Sequence, residues 1–321
     1  MQKHRIAIIR GGPSEEHAVS LETGNNLSKT LGGKHTIIDI VIDKDCVWHI
    51  KGVPGTPGEA LKHIDVVVNA LHGTYGEDGK VQQILDHVGI PYTGSKMFAS
   101  ALGMNKWKAK EIFKKAGIKT PRATIVNSGI DISAQALEIF KTFTLPVIIK
   151  PISSGSSVGV SVGRDLQSIE EALISVFSYC DSAIVEEFIK GKEATCVIAD
   201  DFRGQTHYAF PPIEIVKHTD VAFDQTMKYS GKTEERCPGN FSQLEKDAIM
   251  QAAINAHTSI GARHYSRSDF IVHPTRGVYI LEINTLPGFT EHSLVPKALE
   301  AVGSNTKEFM EHIIGLAINK N

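Results

Sequence analysis

The chain has 321 residues, 41% of them hydrophobic and 22% charged, with a formal net charge of −2 at neutral pH. That length exceeds one average domain and suits two or three. The near-neutral balance gives no electrostatic reason to expect nucleic acid or an anionic membrane surface as a partner.

Behind Met1-Gln2-Lys3-His4-Arg5 the apolar run is only Ile6-Ala7-Ile8-Ile9, too short for a signal-peptide core, and apolar stretches such as 64–71 fall far below membrane-span length. Cys46, Cys180, Cys196 and Cys237 are scattered without a Cys-x-x-Cys pair, which fits a reducing cytoplasm. Residues 5–9 read as a buried strand, followed by the turn Gly11-Gly12-Pro13-Ser14 and a helix for which Ser14 is the expected N-cap. Residues 36–42 and 64–70 are β-branched runs of the kind found in buried parallel strands, separated by a glycine- and proline-rich connection at 52–58. Strands alternating with helices predict an open α/β unit up to about residue 97. A helix is expected over 105–116, stopped by Gly117 and Pro121. A strand at 146–150, a glycine-serine loop at 153–157 and an alternating strand from Val158 then predict a hairpin. Helix 166–178, strand 183–188, helix 242–260, strands 268–272 and 278–283, and helix 305–318 complete the chain. The segment 217–240 is polar and poor in strand or helix pattern, the profile of a lid or a disordered loop.

Four groups of residues carry chemical information. Glu282 and Asn284, two apart on an expected strand, project from one face, and Asp269 on the preceding strand is placed to face them. Singly, each also suits a solvated strand face. Together, beside Arg267, two carboxylates and an amide oxygen are hard ligands suited to Mg²⁺. Lys150, at the end of a buried strand, needs a partner for its charge, and the following Ser153-Ser154-Gly155-Ser156-Ser157-Val158-Gly159 can offer backbone N–H groups to phosphate oxygens. No Gly-Lys-Ser/Thr closes that loop, so it is not a Walker A motif. Gly155-Ser156-Ser157-Val158-Gly159 does match the Gly-x-Ser-x-Gly elbow of α/β-hydrolases, but the elbow requires a helix straight after the serine, and here an alternating strand follows. His72-Gly73-Thr74-Tyr75-Gly76-Glu77-Asp78-Gly79 follows a strand, where open α/β sheets bind ligands. The strand Ala183 to Ile189, with Glu193 behind it, suits either an adenine pocket or an ordinary edge strand.

In order, Gly11 to Ser20, His72 to Gly79, Pro91 to Ser95, Met104-Asn105-Lys106, Lys150 to Gly159, Lys228-Tyr229, Arg267 to Asp269, Glu282 to Gly288 and His292 to Pro296 resemble the D-alanine–D-alanine ligase family of the ATP-grasp superfamily. These blocks span nearly the whole chain. The resemblance implies an α/β fold with α+β lobes: an N-terminal open parallel α/β substrate domain (1–97), a central ATP-grasp lobe (98–187) and a C-terminal lobe (188–321) with a mobile loop at 217–240. It implies ATP as cosubstrate, with Lys106, Lys150, Ser156, Ser157 and Lys228 around its phosphates and Glu186, Glu187, Phe188, Ile189 and Glu193 around adenine and ribose. Asp269, Glu282 and Asn284 are expected to hold two Mg²⁺ or Mn²⁺ ions. Glu16, linked to Ser156 and Tyr229, is expected to orient the first D-alanine. His72, Ser293 and Leu294 are expected to bind substrate, and Arg267 and the backbone of Gly288 to stabilise developing charge. A cytoplasmic homodimer acting on two D-alanine molecules is implied, without nucleic acid or membrane. The alternatives are a D-alanine–D-lactate ligase, against which Tyr229 argues, and a non-catalytic nucleotide-binding regulator, which would not need the whole set of charged residues. Arg10, where a small or apolar residue is expected, and Ser153-Ser154, in place of bulkier residues, depart from the family pattern.

Overall fold

The computed structural model describes residues 3–153, 155, 159–217 and 233–319. β1 (Arg5–Gly11) runs parallel between β2 (Thr36–Ile42) and β5 (Val66–Asn69). Its alternating side chains serve two cores: Ile6 and Ile8 enter one, Ala7 and Ile9 the other, all fully buried. A parallel strand covered on both faces must be apolar throughout, which is why the run contains no polar side chain until Arg10. At the β2 edge the expected glycine- and proline-rich connection is instead two short antiparallel strands, β3 (Trp48–Ile50) and β4 (Val53–Gly55), giving the order β4-β3-β2-β1-β5. Lys51 and Gly52 form their two-residue turn, both at positive φ, the requirement of a tight hairpin.

Helix α1 (His17–Leu31) begins at Glu16 as N-cap, not at Ser14 as expected. Ser14 Oγ instead donates to the His72 carbonyl at 2.6 Å and accepts the Glu16 N–H at 3.2 Å, tying two loops together. Arg10 is satisfied at the sheet surface by Asp39, with Nε and Nη2 both at 2.6 Å, and by Asn25 at 2.8 Å. α2 (Pro57–Ala60) and α3 (Lys80–Val88) follow in the same unit, then α4 (Met97–Met104) and α5 (Lys106–Lys115). Asn105 separates the last two and caps α5, accepting the Lys108 N–H at 3.0 Å.

An antiparallel sheet follows in the order β6-β9-β7-β8, formed by β6 (Ala123–Asn127), β7 (Val147–Pro151), β8 (Ser161–Gly163) and β9 (Ser182–Glu187). Val147, Ile149, Ala183 and Val185 pack under α6 (Ile132–Thr142) and α7 (Leu166–Val176). By the two-residue period, Lys150 and Glu186 emerge from the opposite face.

The third sheet has the order β13-β12-β10-β14-β15, with β11 also on β10. Its strands are β10 (Lys192–Phe202), β11 (Gln205–Ala209), β12 (Ile213–Lys217), β13 (Thr233–Arg236), β14 (Tyr265–His273) and β15 (Gly277–Asn284). Cys196 and Ile198 face α5 and α8 (Gln243–Ser259), while Val197 and Ala199 join the core shared with β1, β5 and α10 (Thr306–Asn319). α9 (Leu294–Ala301) caps the same core. The expectation that 217–240 lacks strand pattern is corrected at Thr233–Arg236, which pairs with β12; the short polar run Thr-Glu-Glu-Arg acquires strand geometry only from that partner. Residues 218–232 lie outside the described residues. Among the described residues no helix is long and apolar enough to cross a membrane.

Candidate active site

Between the second and third sheets lies a cluster of charge. Glu186 is almost fully buried, with Oε1 2.9 Å from Lys110 Nζ and Oε2 3.0 Å from Lys150 Nζ. Burial alone would raise this carboxyl, but the two ammonium groups hold it below its ordinary value. The lysines separate in consequence. Burial brings Lys110 down to about 8 against the pull of Glu186. For Lys150 burial is outweighed by Glu186 and Glu282, and its value rises. Lys110 also donates to Thr120 Oγ1 at 2.6 Å. Lys106, at the start of α5, places Nζ 3.4 Å from Glu282 Oε2, and its backbone N–H donates to the Ile152 carbonyl at 2.9 Å, holding the helix start against the end of β7.

The β14–β15 hairpin brings Asp269, Glu282 and Asn284 together. Asp269 lies opposite Glu282 and Arg267 opposite Asn284, with a register shift just beyond Asp269. Arg267 holds Asp269 through Nε at 3.1 Å and Nη2 at 2.9 Å, and Thr195 on β10 donates to Asp269 Oδ1 at 2.5 Å. Burial is again outweighed for Arg267, whose value rises beside Asp269. Asn284 Oδ1 accepts the Leu286 N–H at 2.7 Å, which fixes the amide at the strand end. An ionised carboxylate has about four acceptor positions, so Asp269 and Glu282 retain capacity for a cation beyond these bonds.

The loops at the C-terminal ends of β1 and β5 close the other end. A β-carbon on Gly155 would stand 2.9 Å from Glu16 Oε2, so the Gly155 backbone passes close over that carboxylate. His72 is buried, with Nε2 2.9 Å from Thr23 Oγ1 and Nδ1 3.6 Å from Glu77 Oε1. Gly288 lies between His72 and Ser293: a β-carbon there would meet Ser293 Oγ at 3.0 Å and His72 Cε1 at 3.4 Å. Ser293 stands at the N-cap position of α9 without a side-chain capping bond, its Oγ instead accepting the Thr290 N–H at 3.0 Å; the neighbouring Leu294 packs on the core.

The sequence-derived residues therefore fall into two adjoining groups: Lys106, Lys150, Glu186, Arg267, Asp269, Glu282 and Asn284 in one, and Glu16, His72, Gly288 and Ser293 in the other. Glu187 is not directed with Glu186. It alternates to the other side of β9, its oxygens on the Arg122 N–H at 3.0 Å and Arg276 Nη1 at 3.2 Å. Phe188 is exposed, Ile189 buried and Glu193 half-buried at the start of β10. Ser156, Ser157, Lys228 and Tyr229 lie outside the described residues. Lys110 and Thr195 were not singled out from sequence. Lys110 had a signal: with Lys106, Ala109 and Phe113 it completes the buried stripe of α5, and a lysine on such a stripe must find a counter-charge. No hydrolase elbow forms, since the loop after β7 returns as its antiparallel partner β8 and the next helix starts only at Leu166.

Two α+β sheet units enclosing a lysine- and carboxylate-lined cleft, beside an α/β unit, define an ATP-grasp protein. The family described as D-ala D-ala ligase N-terminus matches residues 51–95, and that described as D-ala D-ala ligase C-terminus matches 112–315. The chain is 35% identical over 320 residues to a D-alanine–D-alanine ligase of Halalkalibacterium halodurans, covering 98% of this chain and 100% of that one. Among solved structures it resembles the D-alanine–D-alanine ligase of Coxiella burnetii, with a TM-score of 0.86, 26% identity, and coverage of 100% of this chain and 95% of that one. It also resembles the VanG D-Ala:D-Ser ligase of Enterococcus faecalis, with a TM-score of 0.85, 28% identity, and coverage of 98% and 100%. The chain belongs to the D-alanine–D-alanine ligase family and is an ATP-dependent ligase.

Proposed function

We propose that the enzyme joins two D-alanine molecules into D-alanyl-D-alanine through a D-alanyl phosphate, releasing ADP and phosphate. The observation that carries this reading is the junction of the two groups: Lys106, Lys110 and Lys150 around Glu282 and Glu186, beside the loops that carry Glu16, His72 and Ser293. A carboxylate is a poor acyl donor, so phosphorylation must come first, and the transferring phosphoryl group needs positive charge around it. Lys106 and Lys150 supply that charge. Glu186, itself anchored by Lys110, holds Lys150 in place, so its carboxylate acts mainly through the lysines. The chain from Glu187 to Ile189 faces adenine by its backbone, and Glu193 faces the ribose.

Asp269, Glu282 and Asn284 fit a site for two Mg²⁺ or Mn²⁺ ions, since all three offer hard oxygen atoms from one face of the hairpin. Metal there supplies neutralisation of phosphoryl charge. Glu16, with Ser156 and Tyr229 by their motif positions, takes the ammonium group of the first D-alanine; His72, Ser293 and Leu294 bound the second. Its amine, once deprotonated, attacks the acyl carbon, and Arg267 with the Gly288 N–H receives the oxyanion. The functional division follows residues 1–97, 98–187 and 188–321, in a cytoplasmic homodimer serving peptidoglycan precursor synthesis.

The intermediate is directly testable. Enzyme, ATP and Mg²⁺ with D-alanine and hydroxylamine should yield D-alanyl hydroxamate together with ADP. ADP release that ignores D-alanine, with no hydroxamate, would remove the acyl-phosphate route.

A further inference from the structure

We infer that Asp200, His207 and His257 form a binding site for one divalent cation of the zinc class, separate from the ligation cleft. The three residues come from β10, β11 and α8, and their ligand atoms all lie within 4.8 Å of one another. Asp200 Oδ1 is 2.9 Å from His207 Nδ1 and 3.1 Å from His257 Nε2. A tetrahedral zinc with bonds of about 2.0–2.1 Å separates its ligand atoms by roughly 3.3 Å, so these two separations need open by only a few tenths of an ångström. Two imidazoles and one carboxylate favour zinc over magnesium, which prefers an all-oxygen octahedron.

The surrounding bonds orient the donors as an outer shell would. Asp200 Oδ2 is held by the His264 N–H at 2.5 Å, leaving Oδ1 as the inward oxygen. His257 is fully buried, and its far nitrogen, Nδ1, lies 2.7 Å from Ser266 Oγ. Without a cation, both imidazoles satisfy themselves by donating an N–H to Asp200. Binding a cation requires only that each proton move to the opposite ring nitrogen, where His257 Nδ1–H meets Ser266 Oγ and His207 Nε2–H meets solvent. His207 keeps 31% of its side-chain surface exposed, which opens the fourth position to water.

The location points to a staple. His312 on α10 bonds the Asp200 carbonyl at 2.7 Å, so a cation would tie β10, β11 and α8 at the point where α10 also docks. Asp200 lies five residues along β10 from Thr195, the partner of Asp269, or roughly 16 Å at about 3.3 Å per residue.

The test uses the full chain, stripped with chelator and dialysed. Co²⁺ titration should give the visible absorption of a tetrahedral site saturating at one equivalent, displaced by Zn²⁺, and Zn²⁺ should raise Tm. His207→Ala alters a half-exposed ligand and should fold; it should weaken Zn²⁺ by more than the roughly 10- to 100-fold typical of losing an outer-shell partner. Its ligase rate at saturating Mg²⁺ should match that of the parent. The site is refuted if the parent shows neither cobalt absorption nor a zinc-dependent Tm, or if zinc raises Tm equally in parent and His207→Ala.

Discussion

Glu282→Gln is expected to lower kcat by roughly 100- to 1000-fold, the range for removing one preorganised charge-stabilising group from a transition state. The carboxylate faces Asp269 across the hairpin and neutralises Lys106 at 3.4 Å, so its loss should both weaken the proposed cation site and free a lysine to shift. Stability should change little, by about 0.5 kcal/mol or less, because the Glu282 side chain keeps 36% of its surface in solvent. Steady-state kinetics beside a denaturation curve separate the two effects. In the parent, a chelator should abolish turnover, and Mg²⁺ or Mn²⁺ should restore it. Full turnover by the Glu282→Gln variant would sink the assignment of metal to this hairpin.

The opposite balance is expected at Glu186. Glu186→Gln keeps the shape but leaves Lys110 and Lys150 buried without their shared counter-charge, and breaking a buried pair this way costs about 3–5 kcal/mol. The sign with pH follows from linkage. Lys110 binds its proton only up to about pH 8 in the folded protein but up to about 10.5 when unfolded. Across that window the unfolded chain holds the extra proton, so the penalty from this group shrinks as pH rises. Removing Glu186 lowers both lysines further, so the deficit of the variant should be largest near pH 7 and narrow by pH 9. Chemical denaturation of both proteins at the two pH values measures it; a deficit below about 1 kcal/mol, or one that widens with pH, would mean the lysines are not held as described.

Much of this architecture was legible because it is written in local pattern. The fully apolar Ile6 to Ile9 could only be a strand covered on both faces, and the spacing of Glu282 and Asn284 put both on one side of β15 whatever the rest of the chain did. The β7–β8 hairpin was legible from the alternation after Gly159, which also disposed of the serine elbow. What failed to show was set by tertiary partners. β3, β4 and β13 are three or four residues long and take strand geometry from a neighbour. Ser14 has the chemistry of an N-cap, but the His72 carbonyl competes for it. The apolar stripe of α5 turns Lys110, one lysine among five, inward, but no local pattern says that Glu186 on a distant strand is the carboxylate it meets.

The second substrate is what the fold constrains least, since a D-Ala:D-Ser ligase shares this architecture with a TM-score of 0.85. At neutral pH the amine of free D-alanine is mostly protonated, whereas D-lactate has no ammonium to lose, so competition between them tests the pocket itself. Enzyme, ATP and Mg²⁺ should be incubated with equal concentrations of D-alanine, D-serine and D-lactate at several pH values near neutrality, and the products quantified by mass spectrometry. D-alanyl-D-alanine is expected to dominate throughout. A mainly D-alanyl-D-lactate or D-alanyl-D-serine product at neutral pH would contradict the dipeptide assignment while leaving the phosphoryl chemistry of the cleft in place.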